Sequence, residues 1–201
     1  MTEFKNFNYS LQEVSAIVAD SANGEFLWIA FKQNASGNCK LYKVSANNPN
    51  QIYFSIDLAV TEIKRMKIDG NYLYVAVEDD TYFAYRYSLS NPLTNSTTFA
   101  IPSGVTEAPV DIGIETDYLD FLTPGTASGS VPKIIRIAIS SFTLDQVINI
   151  EVSGEDIENA SGISVSSGDN IWVVTRTSPS KLIRVYESSG SIFLFQVHEI
   201  S

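Results

Sequence analysis

Cysteine and histidine are almost absent from this 201-residue chain, which has one of each, Cys39 and His198. One cysteine excludes a disulfide framework within the chain, and one histidine excludes any metal site built from several imidazoles. The fold must therefore be held by burial of apolar surface. Basic residues are also scarce, with 13 Lys and Arg against 23 Asp and Glu, a formal net charge of −10 and a pI near 4.5. Binding to a phosphate backbone rests on cations, so nucleic acid is not an expected partner. Long apolar runs are missing too. The stretch Ile134 to Ile139 is interrupted by Arg136 and falls far short of the roughly 20 residues a membrane helix needs, so no membrane partner is expected. The opening MTEFKNFNYS alternates aromatic and polar residues where a secretory leader has a basic start and an apolar run, which gives the expectation of a chain without an export signal. Triplets of the N-x-S/T type at Asn34, Asn95 and Asn159 carry no meaning without such a route.

What is present is 44% hydrophobic and 18% charged, enough to bury a core. The apolar residues fall into short runs rich in β-branched and aromatic side chains, bounded by Asn, Gly, Ser or Pro, which is the pattern of strands and turns. Those runs repeat in four units. The first holds VSAIVAD, FLWIAF, KLYKVS and QIYFSIDL; the second IKRMKID, YLYVAVE, YFAYRYSL and TTFAIP; the third VDIGIE, YLDFL, KIIRIAIS and VINIEV; the fourth SGISVSS, IWVVTRT, KLIRVYES and IFLFQVHEI. The second run of each carries an equivalent aliphatic residue, at Leu27, Leu73, Leu119 and Ile171, spaced by 46, 46 and 52 residues. The third run gives an independent marker, a basic residue between two apolar ones at Lys43, Arg86, Arg136 and Arg184. No window has a sustained helical period, so helix content should be very low.

Four consecutive four-stranded units of this length predict an all-β, four-bladed β-propeller of antiparallel blades, each too thin to bury its faces alone. The segments Ile163 to Thr175 and Met66 to Val77 resemble the turn and strand signature of NHL-type, lactonase-type and LVIVD-type propeller blades. The expected organisation is an N-terminal arm over 1–13, carrying Phe4, Phe7 and Tyr9, and one propeller domain over 14–201. Its blades fall at about 14–58, 63–102, 108–152 and 160–201. A β-sandwich, and half of an eight-bladed ring completed by a second chain, are the alternatives.

The polar residues form several sets with a potential for chemistry. Cys39 and His198 are the sole nucleophile and imidazole for thiol catalysis, and neither has an activating sequence around it. SANGEFLW, from Ser21 to Trp28, is one imperfect copy of a sialidase-type box, and an Asn-Gly turn into a buried Trp explains the same residues. Resemblance to lactonase-type propellers makes Asp111, Glu115 and Asp69 candidate ligands for a divalent ion, Asp111 and Glu115 lying on one face of a strand. Equivalent positions in other units, such as Met66, Ile68, Ile163 and Val165, supply no oxygen ligands. The acidic clusters Glu78-Asp79-Asp80 and Glu155-Asp156-Glu158 read as solvated loops, and Lys64-Arg65-Lys67 as a local balance to Glu62 and Asp69. The fourfold basic row reads as long side chains covering apolar blade surface with their heads in water. Tyr53, Tyr82, Tyr118 and Trp172 are the aromatics available for a sugar, against blade packing.

No catalytic, cofactor-binding or metal residue is assigned on this reading, and no cofactor is expected. The expected function is a non-enzymatic interaction or structural module with protein partners in a larger assembly, homo-oligomerisation included. An acidic, cysteine-poor, Ser-, Thr- and Asn-rich β chain is similar in composition to bacteriophage virion proteins, which implies a tail or fibre subunit, cytoplasmic or virion-associated. The alternatives are a small lactonase or hydrolase with a metal at a channel mouth, and a carbohydrate-binding propeller.

Overall fold

The computed structural model describes residues 13–20, 24–32, 37–90, 96–126, 130–155, 157–166, 170–189 and 192–200. The expected N-terminal arm with Phe4, Phe7 and Tyr9, the triplet residues Asn34 and Asn95, Ser21 to Asn23 of the sialidase-like box, and Asp156 lie outside them.

Among the described residues there are sixteen strands and no helix. The first sheet contains β1 (Val14–Asp20), β2 (Phe26–Phe31), β3 (Cys39–Ser45) and β4 (Ile52–Leu58). The second contains β5 (Glu62–Asp69), β6 (Tyr72–Glu78), β7 (Tyr82–Ser88) and β8 (Ser96–Ala100). The third contains β9 (Asp111–Ile114), β10 (Tyr118–Thr123), β11 (Lys133–Ala138) and β12 (Thr143–Asn149). The fourth contains β13 (Ala160–Ser166), β14 (Asn170–Thr175), β15 (Ser180–Ser189) and β16 (Ile192–Ile200). Each sheet keeps its strands in chain order, so each is an antiparallel meander. A sandwich would gather the same strands into two sheets; here there are four, and that alternative is set aside.

The repeat legible in the sequence is also the repeat of the hydrogen-bond register. Trp28 stands opposite Lys43, Tyr74 opposite Arg86, Asp120 opposite Arg136 and Trp172 opposite Arg184. Three of the four first strands share a register shift near their start, between Val14 and Ala16, Ile63 and Arg65, and Ala160 and Gly162. Such bulges strengthen local twist. Gly70, at φ 51°, supplies the left-handed residue of the tight turn that pairs Asp69 with Tyr72.

The chain divides into two compact units, residues 1–97 and 98–201. In the first, β1 lies against β5, and the core joins Trp28, Leu41 and Leu58 of one blade to Ile63, Met66 and Leu73 of the next. In the second, β9 and β10 lie against β13, and Leu122, Ile134, Ile148 and Ile150 share a core with Ile163, Val173 and Ile183. Stacking buries the face of a second strand that meets the neighbouring blade, and along β6 the residues Leu73 to Val77 are buried without alternation.

The fourth strand of the third blade differs from its expected place over Val147 to Val152. Phe142, at φ 55°, donates its N–H to the Ala138 carbonyl and closes a tight turn, so β12 starts at Thr143 and ends at Asn149. Ile150 still reaches the core, its N–H donated to the Pro132 carbonyl.

Candidate functional site

The most regular polar feature of the molecule is a clamp built once per blade around the basic residue of the third strand. Register places that residue beside the second strand and, in the first and third blades, one strand removed from an acid at the end of the first strand. In the first blade the Lys43 ammonium lies 4.4 Å from the Phe26 ring centre, 5.6 Å from Trp28 and 3.4 Å from the Asp20 carboxylate. In the second, Arg86 lies over Tyr72 at 5.0 Å, and its guanidinium approaches the Thr97 hydroxyl at 3.5 Å. In the third, Arg136 lies over Tyr118 at 4.9 Å, donates two hydrogen bonds to Asp120 at 2.9 and 3.0 Å, and donates a third to Glu115 at 2.5 Å. In the fourth, Arg184 lies over Tyr186 at 5.0 Å and Trp172 at 5.9 Å and donates to the Asn170 side-chain oxygen at 2.8 Å. A cation held over an aromatic face and tied to a carboxylate gains from both the ring quadrupole and the charge pair.

At Arg136 this geometry corrects the expectation that the cations of the basic row carry their heads into water. Arg136 is buried, and so are the two carboxylates it holds. The cause is Asp120, which occupies the position filled by Trp28, Tyr74 and Trp172 in the other blades. An acid in the middle of a doubly buried strand requires a cation, and Arg136 answers it.

The candidate metal ligands have separate employments. Glu115 is committed to Arg136. Asp111, at the other end of β9, accepts a hydrogen bond from the Ile163 N–H at 3.0 Å and so joins the third blade to the fourth. Four residues along a strand separate Asp111 from Glu115 by about 13 Å, too far for one ion. Asp69 ends β5 in the first unit, opposite Tyr72. Among the described residues no three His, Cys, Asp or Glu side chains converge as metal ligands.

The remaining candidates sort by environment. Cys39 is fully buried with its thiol directed at the Val60 carbonyl at 3.4 Å, and burial pushes its pKa up, which disfavours the thiolate. His198 is exposed on β16, in the other unit. Lys64 donates to Glu62 at 2.6 Å and Glu78 at 2.5 Å. Burial works against its charge, but the two carboxylates outweigh that and raise its pKa. Asp79 caps its own turn, accepting from the backbones of Thr81 and Tyr82 at 3.0 Å each, and Glu155 pairs with Lys181 at 2.9 Å. Of the four candidate aromatics only Tyr53 is exposed, its ring edge-on to Phe26 at 5.0 Å. Tyr82 packs on Tyr85, and Tyr118 and Trp172 lie under guanidinium groups.

One polar centre has no counterpart among the sequence candidates. The Glu107 carboxylate accepts hydrogen bonds from the backbone N–H of Gly125 (2.8 Å) and Thr126 (2.6 Å) and from the hydroxyls of Thr126 (2.7 Å) and Ser130 (3.1 Å). It fastens the loop after β10 to the segment before β9. Nothing in the flanking sequence, Thr106 and Ala108, distinguishes this glutamate from a solvated one.

No protein-family model and no curated protein matches the chain. Solved structures do. The computationally designed Ika4 protein overlays 100% of this chain and 99% of its own with a TM-score of 0.59 at 11% identity. The WD40 domain of Neurospora crassa Pan2 overlays 88% of this chain and 50% of its own, with a TM-score of 0.56 at 10% identity. Glutaminyl cyclase of Myxococcus xanthus overlays 86% of this chain and 65% of its own, with a TM-score of 0.52 at 14% identity. WD40 repeats build propeller blades, and at these identities the likeness speaks for fold alone. The four meanders are blades of the β-propeller type.

Proposed function

We propose that this chain is a non-enzymatic propeller module that works as a subunit of a larger protein assembly. The observation that carries the reading is that the side chains with chemical potential are spent on contacts within the fold. The basic row is stacked and paired, Glu115 and Asp120 are bound to Arg136, Asp111 bridges two blades, and the Cys39 thiol is buried. Surface side chains such as Ile52, Tyr53, Tyr72 and Leu144 are apolar or aromatic, suited to protein contact. A virion tail or fibre is one assembly compatible with the acidic, Ser- and Asn-rich composition. The test is to isolate the native protein by size and to assay it against lactones and esters with and without calcium. Co-migration in a complex larger than the chain without turnover supports the reading; calcium-dependent hydrolysis lost on Asp111→Ala overturns it.

Tyr53 favours a second reading. It is the exposed member of an edge-on pair with Phe26, whose face carries the Lys43 ammonium, and a sugar ring stacks on such a platform. Binding on a glycan array that Tyr53→Ala abolishes would move the function to carbohydrate recognition.

A further inference from the structure

The donors around Glu107 sort by oxygen. Oε1 accepts the Thr126 backbone N–H at 2.6 Å and the Thr126 hydroxyl at 2.7 Å; Oε2 accepts the Gly125 backbone N–H at 2.8 Å and the Ser130 hydroxyl at 3.1 Å. Each oxygen thus receives one amide and one hydroxyl, a set that matches the roughly four acceptor positions of a planar carboxylate. Successive backbone N–H groups in a turn form a concavity for an anion, and Gly125, at φ 66°, supplies the left-handed backbone that such a turn uses.

Those donors are held by contacts in which Glu107 has no part. Thr123 and Lys133 pair across the ends of β10 and β11, and the Lys133 N–H donates to the Thr123 hydroxyl at 3.1 Å. The Pro124 carbonyl accepts the Ala160 N–H and the Pro132 carbonyl accepts the Ile150 N–H, each at 2.9 Å. A Cβ on Gly125 would stand 2.3 Å from the Pro132 nitrogen, so the two sides of the loop meet in backbone contact. Glu107 comes from a separate segment, between buried Val105 and Pro109, and the place where it meets the loop is open to solvent at Thr126.

We propose that the loop between β10 and β11 is a preformed receptor for a small carboxylate, and that Glu107 fills it as a tethered ligand which a free carboxylate can replace. The four donors are neutral and fall two to each oxygen, so the receptor selects a flat monoanion over tetrahedral phosphate. A ligand on the same chain acts at a high effective concentration, and Glu107 therefore keeps the receptor closed against dilute competitors. This site is independent of the assembly role and needs no partner protein.

The experiment removes the tethered ligand. Full-length Glu107→Ala is titrated with sodium formate over a millimolar series, with sodium chloride at equal ionic strength and sodium phosphate as comparisons. Backbone amide resonances of Gly125 and Thr126 report binding, and urea unfolding reports stability. Formate is expected to shift both amides saturably and to raise the folding equilibrium constant about tenfold at about ten times its dissociation constant. Chloride should do neither, and wild type should not respond over the range that saturates the variant. Adding Thr126→Val and Ser130→Ala should weaken formate binding at least about tenfold, since two hydrogen bonds to a charged group are lost. If Glu107→Ala is unfolded as purified, it is refolded in formate and in chloride; folding in formate alone supports the receptor, and failure in both overturns it. A folded Glu107→Ala whose two amides ignore formate also overturns it. So does phosphate acting as strongly as formate, or binding that is undiminished without the two hydroxyls.

Discussion

Replacing Arg136 by methionine tests the clamp where it is most deeply buried. The guanidinium side chain is 6% exposed, and the carboxylates it serves, Glu115 and Asp120, are 4% and 0% exposed. Arg136→Met keeps most of the apolar stem and removes the charge and three hydrogen bonds, stranding two acids in a region where water cannot replace the lost partner. Breaking a buried pair in this way costs about 3–5 kcal/mol, far above the pair's own net contribution, because the penalty is that of the uncompensated charges. Restoring neutrality separates the two terms. Arg136→Met with Asp120→Leu and Glu115→Gln should recover most of the loss, since an apolar replacement of a buried ion pair is often neutral. The pair of Lys40, half-buried, and exposed Asp57, 2.7 Å apart, is the control, and Lys40→Ala should cost about 1 kcal/mol or less. The assay is urea unfolding followed by tryptophan fluorescence and circular dichroism. A loss below about 1 kcal/mol for Arg136→Met, or a triple variant no better than the single one, would refute the claim that this network is dry and charge-balanced.

Alkaline pH should unfold the protein through its tyrosines. Burial pushes Tyr74 and Tyr85 up to about 12 and Tyr87 higher still, while an unfolded tyrosine ionises near 10. The folded state holds these protons after the unfolded state has released them, so stability is unaffected below about pH 10 and falls as pH rises through about 12. Tyrosinate absorbance should appear together with loss of β-sheet signal; ionisation of all ten tyrosines near pH 10 with the fold intact would contradict this. Gly113→Ala probes the contact between the third and fourth blades. A Cβ there would lie 2.9 Å from a Val165 methyl carbon, so overpacking should cost about 1–3 kcal/mol by urea unfolding, and a neutral result would mean that these blades separate readily.

The blades were legible in the sequence because each strand is short, apolar and bounded by turn residues, and because Leu27, Leu73, Leu119 and Ile171 keep one spacing. Two markers in different strands agreed, and the ladder places both in one register. The clamp was half legible. Its basic residue stood out by regularity, but its acid and aromatic lie on either side of a turn, as Glu115 and Tyr118 do. Their relation to the third strand appears only when three strands are laid side by side. Asp120 was a signal available and unused, since an acid flanked by Leu119 and Phe121 within a second strand has no water to face. The true start of β12 was not readable, because it depends on Phe142 accepting a left-handed backbone that its residue type does not advertise.

Each clamp draws its cation from within one meander, and the aromatic faces and carboxylates shown holding it come from the same meander, whereas the apolar cores are shared between neighbours. A unit duplicated or exchanged as a whole would arrive with its charges already neutralised and only its greasy flanks to refit. Electrostatics therefore imposes little constraint on the order or number of such units. That freedom leaves Asp120 to stand where the other units have an aromatic without disturbing the balance of the rest.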